Sequence, residues 1–230
     1  KRVLLRADFD VQIERGKIKD DFRIRRVLPM IRRILGQGGS IRIIAHGGRP
    51  RGRRRPGLTM RPVARHLANL LKTPVVFVAD PFSAAAYRRL NESRSILFFE
   101  NIRFWQGEEA NSPHFAERVA RWGDIYVNEA FADAHRNHAS MVALARILPA
   151  YLGDAFLKEL EFMYRVYHNP PHPFVAVLGG AKLETKMPLV RRFLRTADAV
   201  IVGGVLANTL LALRGVEVGK SKFDDEATRS

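Results

Sequence analysis

Residues 174–186 read Phe-Val-Ala-Val-Leu-Gly-Gly-Ala-Lys-Leu-Glu-Thr-Lys. The unbroken apolar run suits a parallel strand covered on both faces. Gly179 and Gly180 then let the backbone turn sharply and approach another group closely. A helix starting there points free N–H groups and the positive end of its dipole at the turn. Lys182 and Lys186 stand four apart, a spacing that puts both on one face of a helix. Strand, glycine turn and cationic helix start together make a phosphate site. An ordinary strand-to-helix turn with two solvated lysines is the alternative that the pattern leaves open. A P-loop is excluded, because its wider glycine spacing and Lys-Ser/Thr pair are missing.

The same rhythm runs through the chain on the N-terminal side. Strands are expected at 3–9, 41–45, 75–78, 96–99 and 124–127, with helices at 22–35, 59–71, 83–90, 112–122 and 153–167. Thr59 is expected to cap its helix, Ser112-Pro113 to open another, and 107–109 to form a turn. Asp8 and Asp10 fall at the end of the first strand. His46-Gly47-Gly48-Arg49-Pro50 follows the second, an arrangement able to cradle an anion. Arg23 sits at a helix start, an electrostatically poor place for a cation. Strand, loop bearing His or Arg, then helix is the rhythm of a doubly wound parallel sheet, and ligand sites in such sheets lie beyond the strands' C-terminal ends. Asn169-Pro170-Pro171-His172-Pro173 interrupts the pattern and marks a domain boundary close to Pro171. Beyond 174–186 follow a helix at 188–195, a strand at 199–202, Gly203-Gly204, and a helix through 208–213.

Composition narrows the function classes. The 230 residues include no cysteine, which excludes disulfides and thiolate metal sites and fits the cytoplasm. No apolar run is long enough to span a bilayer, and no leader precedes the first strand, so neither membrane nor export is expected. The net charge is +16, yet the arginines are dispersed apart from residues 49–55. No zinc-finger, RNA-recognition or basic-zipper signature accompanies them, so no nucleic-acid partner is expected. A start without Met and an end at residues 228–230, just past a turn-like stretch, lead to the expectation of a fragment.

Five short stretches, taken in order, resemble the phosphoglycerate kinase family. Residues 6–10, Arg-Ala-Asp-Phe-Asp, resemble its Arg-Val-Asp-Phe-Asn. His46 to Pro50 resembles its His-Leu-Gly-Arg-Pro. Residues 100–104 and 107–111 resemble its Glu-Asn-Leu-Arg-Phe and the Gly-Glu-Glu and Asn that follow. Residues 126–140 resemble its Tyr-Val-Asn-Asp-Ala-Phe, Ala-His-Arg and His-Ala-Ser. Residues 178–186 resemble its Leu-Gly-Gly-Ala-Lys with a second Lys four residues on. The resemblance covers nearly the whole chain.

The resemblance implies two α/β lobes joined by a helix, with a site in the cleft between them. It implies a phosphoglycerate-binding lobe over 1–153, an interdomain helix and linker over 154–172, and a partial nucleotide-binding lobe over 173–230. Asp8, Asp10, Arg23, His46, Arg49, Arg103 and Arg136 map onto the family's set for 3-phosphoglycerate or 1,3-bisphosphoglycerate. Gly179, Gly180, Ala181, Lys182 and Lys186 map onto one edge of the ADP/ATP site, with Gly203 and Gly204 lining the same pocket. Arg23 and Lys186 are implied to serve the transferring group. Mg2+ is implied with the nucleotide, its protein ligand lying outside this chain, and the complete protein is implied to be a monomer. Against the family pattern stand Asp10 for Asn, Gly47 for Leu, Glu129 for Asp, Thr185 for Asp and Val205 for Gly. The chain also lacks the family's later nucleotide segments. A non-catalytic anion- or nucleic-acid-binding relative is the rival class, suggested by the charge and by Asp10.

Overall fold

A computed structural model describes residues 1–92 and 96–228. Arg229 and Ser230, part of the chain end discussed above, lie outside the described residues. Tertiary contacts divide the chain into two units, Lys1–Leu160 and Glu161–Ser230.

The first unit runs β1 (Arg2–Arg6), β2 (Ile13–Glu14), β3 (Lys17–Ile18), α1 (Phe22–Gly36), β4 (Ser40–Ile44), α2 (Arg61–Leu71), β5 (Val75–Val78), α3 (Ala84–Glu92), β6 (Ile96–Phe99), α4 (Gln106–Glu109), α5 (Pro113–Ala120), β7 (Ile125–Asn128), β8 (Ala150–Leu152) and the start of α6 (Asp154–His168). Six of the strands form one sheet in the order β5-β6-β4-β1-β7-β8. Every neighbouring pair is parallel. The chain winds from β1 towards β5, then returns past β1 to β7 and β8. The sheet is therefore doubly wound and Rossmann-like, with its reversal beside β1.

Alternation along the strands explains the two layers. Val3 and Leu5 of β1, Ile41 and Ile43 of β4, and Phe98 of β6 face α1 and α2, packing with Ile24, Val27, Ile31, Val63 and Leu67. Leu4, Ile44, Leu97 and Phe99 face the opposite layer, where Ala86 of α3 and Phe115, Ala116 and Val119 of α5 cover them. Burying each such large side chain contributes about 1.5–3 kcal/mol. With both faces covered, only the strand ends are left for chemistry.

Several local expectations are corrected. Thr59 stands one residue before the cap position of α2, which is Met60, the helix starting at Arg61. Its hydroxyl accepts from the Arg61 N–H at 3.4 Å and donates to Glu100 Oε2 at 2.7 Å. The 107–109 turn is the short helix α4, because Glu108 is buried and receives bonds from Ser140. Strand β8 gave no sequence signal; it is three residues long and exposed.

The second unit contains the rest of α6, β9 (Val175–Leu178), α7 (Leu183–Thr196), β10 (Ala199–Val202), α8 (Gly204–Leu213) and α9 (Asp225–Thr228). Strands β9 and β10 pair in parallel. One side of this pair packs Leu178 and Val202 on Leu183, Val190 and Leu206. The other side leaves Val175, Val177 and Ile201 exposed. Helix α7 starts five residues before the expected 188 and carries Pro188 inside it.

Candidate functional site

Polar side chains from the last residue of β1 and from the loops after β4, β6 and β7 meet at Asp133. This aspartate lies in a helical turn, Phe131–Asp133, after β7 and is buried. Its carboxylate accepts from Arg6 Nη2 at 2.7 Å, Arg103 Nη2 at 2.9 Å and Arg136 Nε at 3.0 Å. Burial alone would raise this carboxyl, but Arg6, with Arg103 and Arg136, outweighs burial and holds it at about 2. Arg6 Nε also donates to Ser140 Oγ at 3.0 Å, which donates to Glu108 at 2.6 Å. Burial pushes the Glu108 carboxyl up. Three guanidiniums thus face two carboxylates in this network, an excess of positive charge. Arg103 Nε is buried without a partner among the described residues.

His46 joins this network in its neutral form. Burial, and after it the charge of Arg6, hold its pKa well below the ordinary 6.5. Its Nδ1 lies 3.0 Å from Arg6 Nη2 and 3.1 Å from Asp133 Oδ2. A guanidinium can only donate, so Nδ1 accepts from Arg6 and the ring proton sits on Nε2. That nitrogen is 3.7 Å from Asp10 Oδ2.

A second pair stands apart from Asp133. Arg23 Nη1 donates to both Asp8 oxygens, at 2.9 and 3.0 Å. Asp8 thereby offsets the poor placement of a cation in the first turn of α1. Both residues line a cavity of about 310 Å3 together with Arg26, Glu129, Phe131 and Glu159. Asp10 accepts from the Gly48 N–H at 2.8 Å. Among the described residues it therefore neither pairs with an arginine nor stands without a partner. Arg49 is exposed, without an ion-pair or hydrogen-bond partner among the described residues. Of the seven expected acid-site residues, His46, Arg103 and Arg136 gather on Asp133, and Asp8 and Arg23 hold each other. Asp10 braces the loop after β4.

In the second unit, residues 179–182 connect β9 to α7. Lys182 is extended, at φ −111° and ψ 119°, immediately before the helix, and Lys186 is one turn inside it. The expectation that both share one helix face is corrected, since the helix begins at Leu183. Gly180 has φ +153°, and a Cβ there would lie 3.0 Å from Lys186 Cε. Only glycine lets the lysine stem pass this close at that backbone angle. The Gly203 N–H donates to the Leu178 carbonyl at 2.9 Å, so the turns after β9 and β10 lie side by side. The start of α7 is not wholly free, as had been expected. Leu183 N–H donates to Asp224 Oδ2 at 2.9 Å, and Asp224 N–H donates to Thr209 Oγ1 at 2.9 Å. Among the described residues no group of three or more His, Asp or Glu side chains is placed to hold a metal ion.

The sequence reading missed Arg6, Asp133, Ser140 and Glu108. Arg6 sits in a strand beside Asp8 and was passed over for the aspartates. The alternation of β1 was a usable signal, because it sends Arg6 to the same side as Leu4, into the interior. No sequence signal marks Asp133, whose partners Arg6 and Arg103 lie far away along the chain.

The family model described as phosphoglycerate kinase matches residues 1–230. A phosphoglycerate kinase of Mesorhizobium japonicum is 43% identical over 224 residues, covering 96% of this chain and 56% of the relative. One of Rubrobacter xylanophilus is 43% identical over 227 residues, covering 98% and 58%. The solved phosphoglycerate kinase of Coxiella burnetii superposes with a TM-score of 0.83 at 37% identity, over 99% of this chain and 58% of that one. The chain thus spans little more than half the length of the relatives it matches. Fold, motif order and sequence identity agree: the chain belongs to the phosphoglycerate kinase family.

Proposed function

We propose that the first unit binds 3-phosphoglycerate or 1,3-bisphosphoglycerate, and that the second carries one edge of an ADP/ATP site. The complete protein passes a phosphoryl group reversibly between 1,3-bisphosphoglycerate and ADP, giving 3-phosphoglycerate and ATP. The observation that carries this reading is the convergence of Arg6, Arg103 and Arg136 on Asp133, with more cations than carboxylates in the network. A small polyanion supplies the charge that the network lacks, and guanidinium forks match phosphate oxygens.

The chemistry asks little of the protein beyond placement. The accepting ADP oxygen is already ionised, so no general base is needed, and catalysis rests on positioning and charge stabilisation. Neutral His46 offers the acid a hydrogen bond rather than a charge. Asp8 keeps Arg23 extended for the transferring group. Lys186, packed along Gly180, serves that group from the nucleotide side, and Lys182 holds nucleotide phosphates together with the Gly179, Gly180 and Ala181 backbone. Gly203 and Gly204 complete that rim.

Calorimetry on the 230-residue chain tests the acid site. Binding of 3-phosphoglycerate is expected, weakening as salt rises. Arg136→Ala is expected to cost about 1.5–3 kcal/mol of that affinity, the range for a charged hydrogen bond. Salt-independent binding, or none, overturns the assignment. A coupled assay of ATP formation from 1,3-bisphosphoglycerate is expected to show no turnover by this chain alone, and substantial turnover overturns the view that the later part of the relatives' length is required.

A further inference from the structure

Glu129 opens the loop that carries Asp133 and Arg136, yet its side chain ends elsewhere. Its backbone N–H donates to the Arg6 carbonyl at 2.8 Å, at the end of β1. Its Oε2 accepts from the N–H groups of Ala155 at 2.8 Å and Phe156 at 3.2 Å. These belong to the first turn of α6. Helix starts are ordinarily capped by a nearby Ser, Thr, Asp or Asn. Here the position before the helix is Gly153, which has no side chain to offer.

The two positions are fitted to each other. A Cβ on Gly153 would lie 2.2 Å from the Glu129 carboxyl carbon. Only glycine leaves the acid room. The arrangement is also costly. Glu129 is 4% exposed, and its Oε1 is buried without a partner among the described residues. A serine at 153 could cap α6 without burying an acid. Glu129 further lines the same cavity as Asp8 and Arg23.

We propose that Glu129 is a positioning residue that ties the anion-binding loop to the first turn of α6, so that order imposed on one is transmitted to the other. This rests on the reading of the first unit as an acid site. It adds that a bound anion, by fixing Arg136 and Asp133, steadies the Glu129 carboxylate and with it the Ala155 and Phe156 amides.

Amide hydrogen exchange on the 230-residue chain, read residue by residue with and without 3-phosphoglycerate, tests this. In the unaltered chain the ligand is expected to slow exchange at Ala155 and Phe156 by about tenfold or more, since these amides otherwise open locally. Glu129→Gln keeps an oxygen acceptor and is expected to retain the effect. Glu129→Ala, and Gly153→Ala, which displaces the carboxylate, are expected to abolish it, with tryptophan fluorescence confirming that each variant is folded. Bound ligand that leaves both amides unchanged in the unaltered chain overturns the proposal, as does full transmission in Glu129→Ala. If calorimetry shows no acid binding, the functional reading fails instead, and the link is read without ligand. Asp133→Asn loosens the loop from its other end and is expected to speed exchange at Ala155 and Phe156 unless Glu129 is also replaced. Exchange at those amides indifferent to Asp133→Asn overturns the link.

Discussion

Replacing Asp133 by Asn tests the centre of the site with little change in shape. The carboxylate holds Arg6 and Arg103, whose side chains are 0% and 2% exposed, and the more open Arg136. Holding its pKa at about 2 against 3.8 is worth about 2.5 kcal/mol at neutral pH. That figure counts only the preference of the folded state for the ionised acid. The substitution also leaves two buried guanidiniums with only the more distant Glu108 as counter-charge and turns an amide N–H2 towards donors. Breaking a buried ion pair from one side costs about 3–5 kcal/mol.

The expected loss is therefore about 3–5 kcal/mol. Both tryptophans, Trp105 and Trp122, lie in the first unit, so urea unfolding followed by their fluorescence reports on that unit. With a slope of about 2 kcal/mol per molar urea, the midpoint is expected to fall by roughly 2 M. A loss under about 1 kcal/mol would refute the reasoning, because it would mean that the arginines find water or other acceptors once the charge is removed. Lowering the pH provides the same test without mutation. The folded-state pKa of Asp133 is depressed, so its stabilisation is present above about 3.8 and lost as pH falls towards 2.

Other outcomes follow from single contacts. Asp10→Asn preserves an acceptor for the Gly48 N–H and removes a negative charge near His46, so 3-phosphoglycerate is expected to bind tighter by about 1 kcal/mol in calorimetry; unchanged affinity means that Asp10 does not face the ligand's charge. Gly180→Ala places a Cβ against the Lys186 stem at a backbone angle that suits glycine, and ADP affinity is expected to fall by about 1–3 kcal/mol while acid binding stays intact. Equal loss of both ligands points to general unfolding and counts against the local explanation. His46 and His138, both lowered by burial, take up protons more readily when unfolded, so stability is expected to fall as pH drops through about 6.5 and again below about 4 as Asp133 is neutralised, with Glu108 and Glu129, raised by burial, offsetting part of the loss; stability that rises from pH 7 to pH 5 contradicts this sign. The β9–β10 pair has one exposed apolar face, so far-UV circular dichroism is expected to show a transition at lower urea than tryptophan fluorescence does; coincident curves refute this.

The sheet was legible because its strands are short, apolar and separated by helix-period segments. Burial on both faces writes that pattern directly into the sequence. The strand-end loops were legible too, since Gly, His and Arg cluster there with little else to explain them. The charges that organise the site were not. Asp133 looks like one acid in a polar loop, and only folding brings Arg6 and Arg103 to it across 127 and 30 residues. Asp224 is hidden for the same reason, reaching Leu183 across 41 residues. Periodicity reports which face of an element is buried. It does not report which distant side chain arrives to meet a particular charge.

The two proposed anion sites make opposite use of an internal carboxylate. Asp133 is buried and bonded by three guanidiniums, so a ligand cannot displace it without stranding those charges. Each guanidinium has five N–H donors, and Asp133 takes only one from each. Arg6 spends its other donors inside the fold, on Ala7, Ser140 and His46, and Arg103 bonds the Gly48 carbonyl, so the acid aims chiefly the more open Arg136, bonded through Nε, towards a ligand. Asp224 reaches a single backbone N–H at the start of α7 and is only partly buried. Its loss strands one amide rather than several charges, and a phosphate approaching Lys182 and Lys186 could take its place.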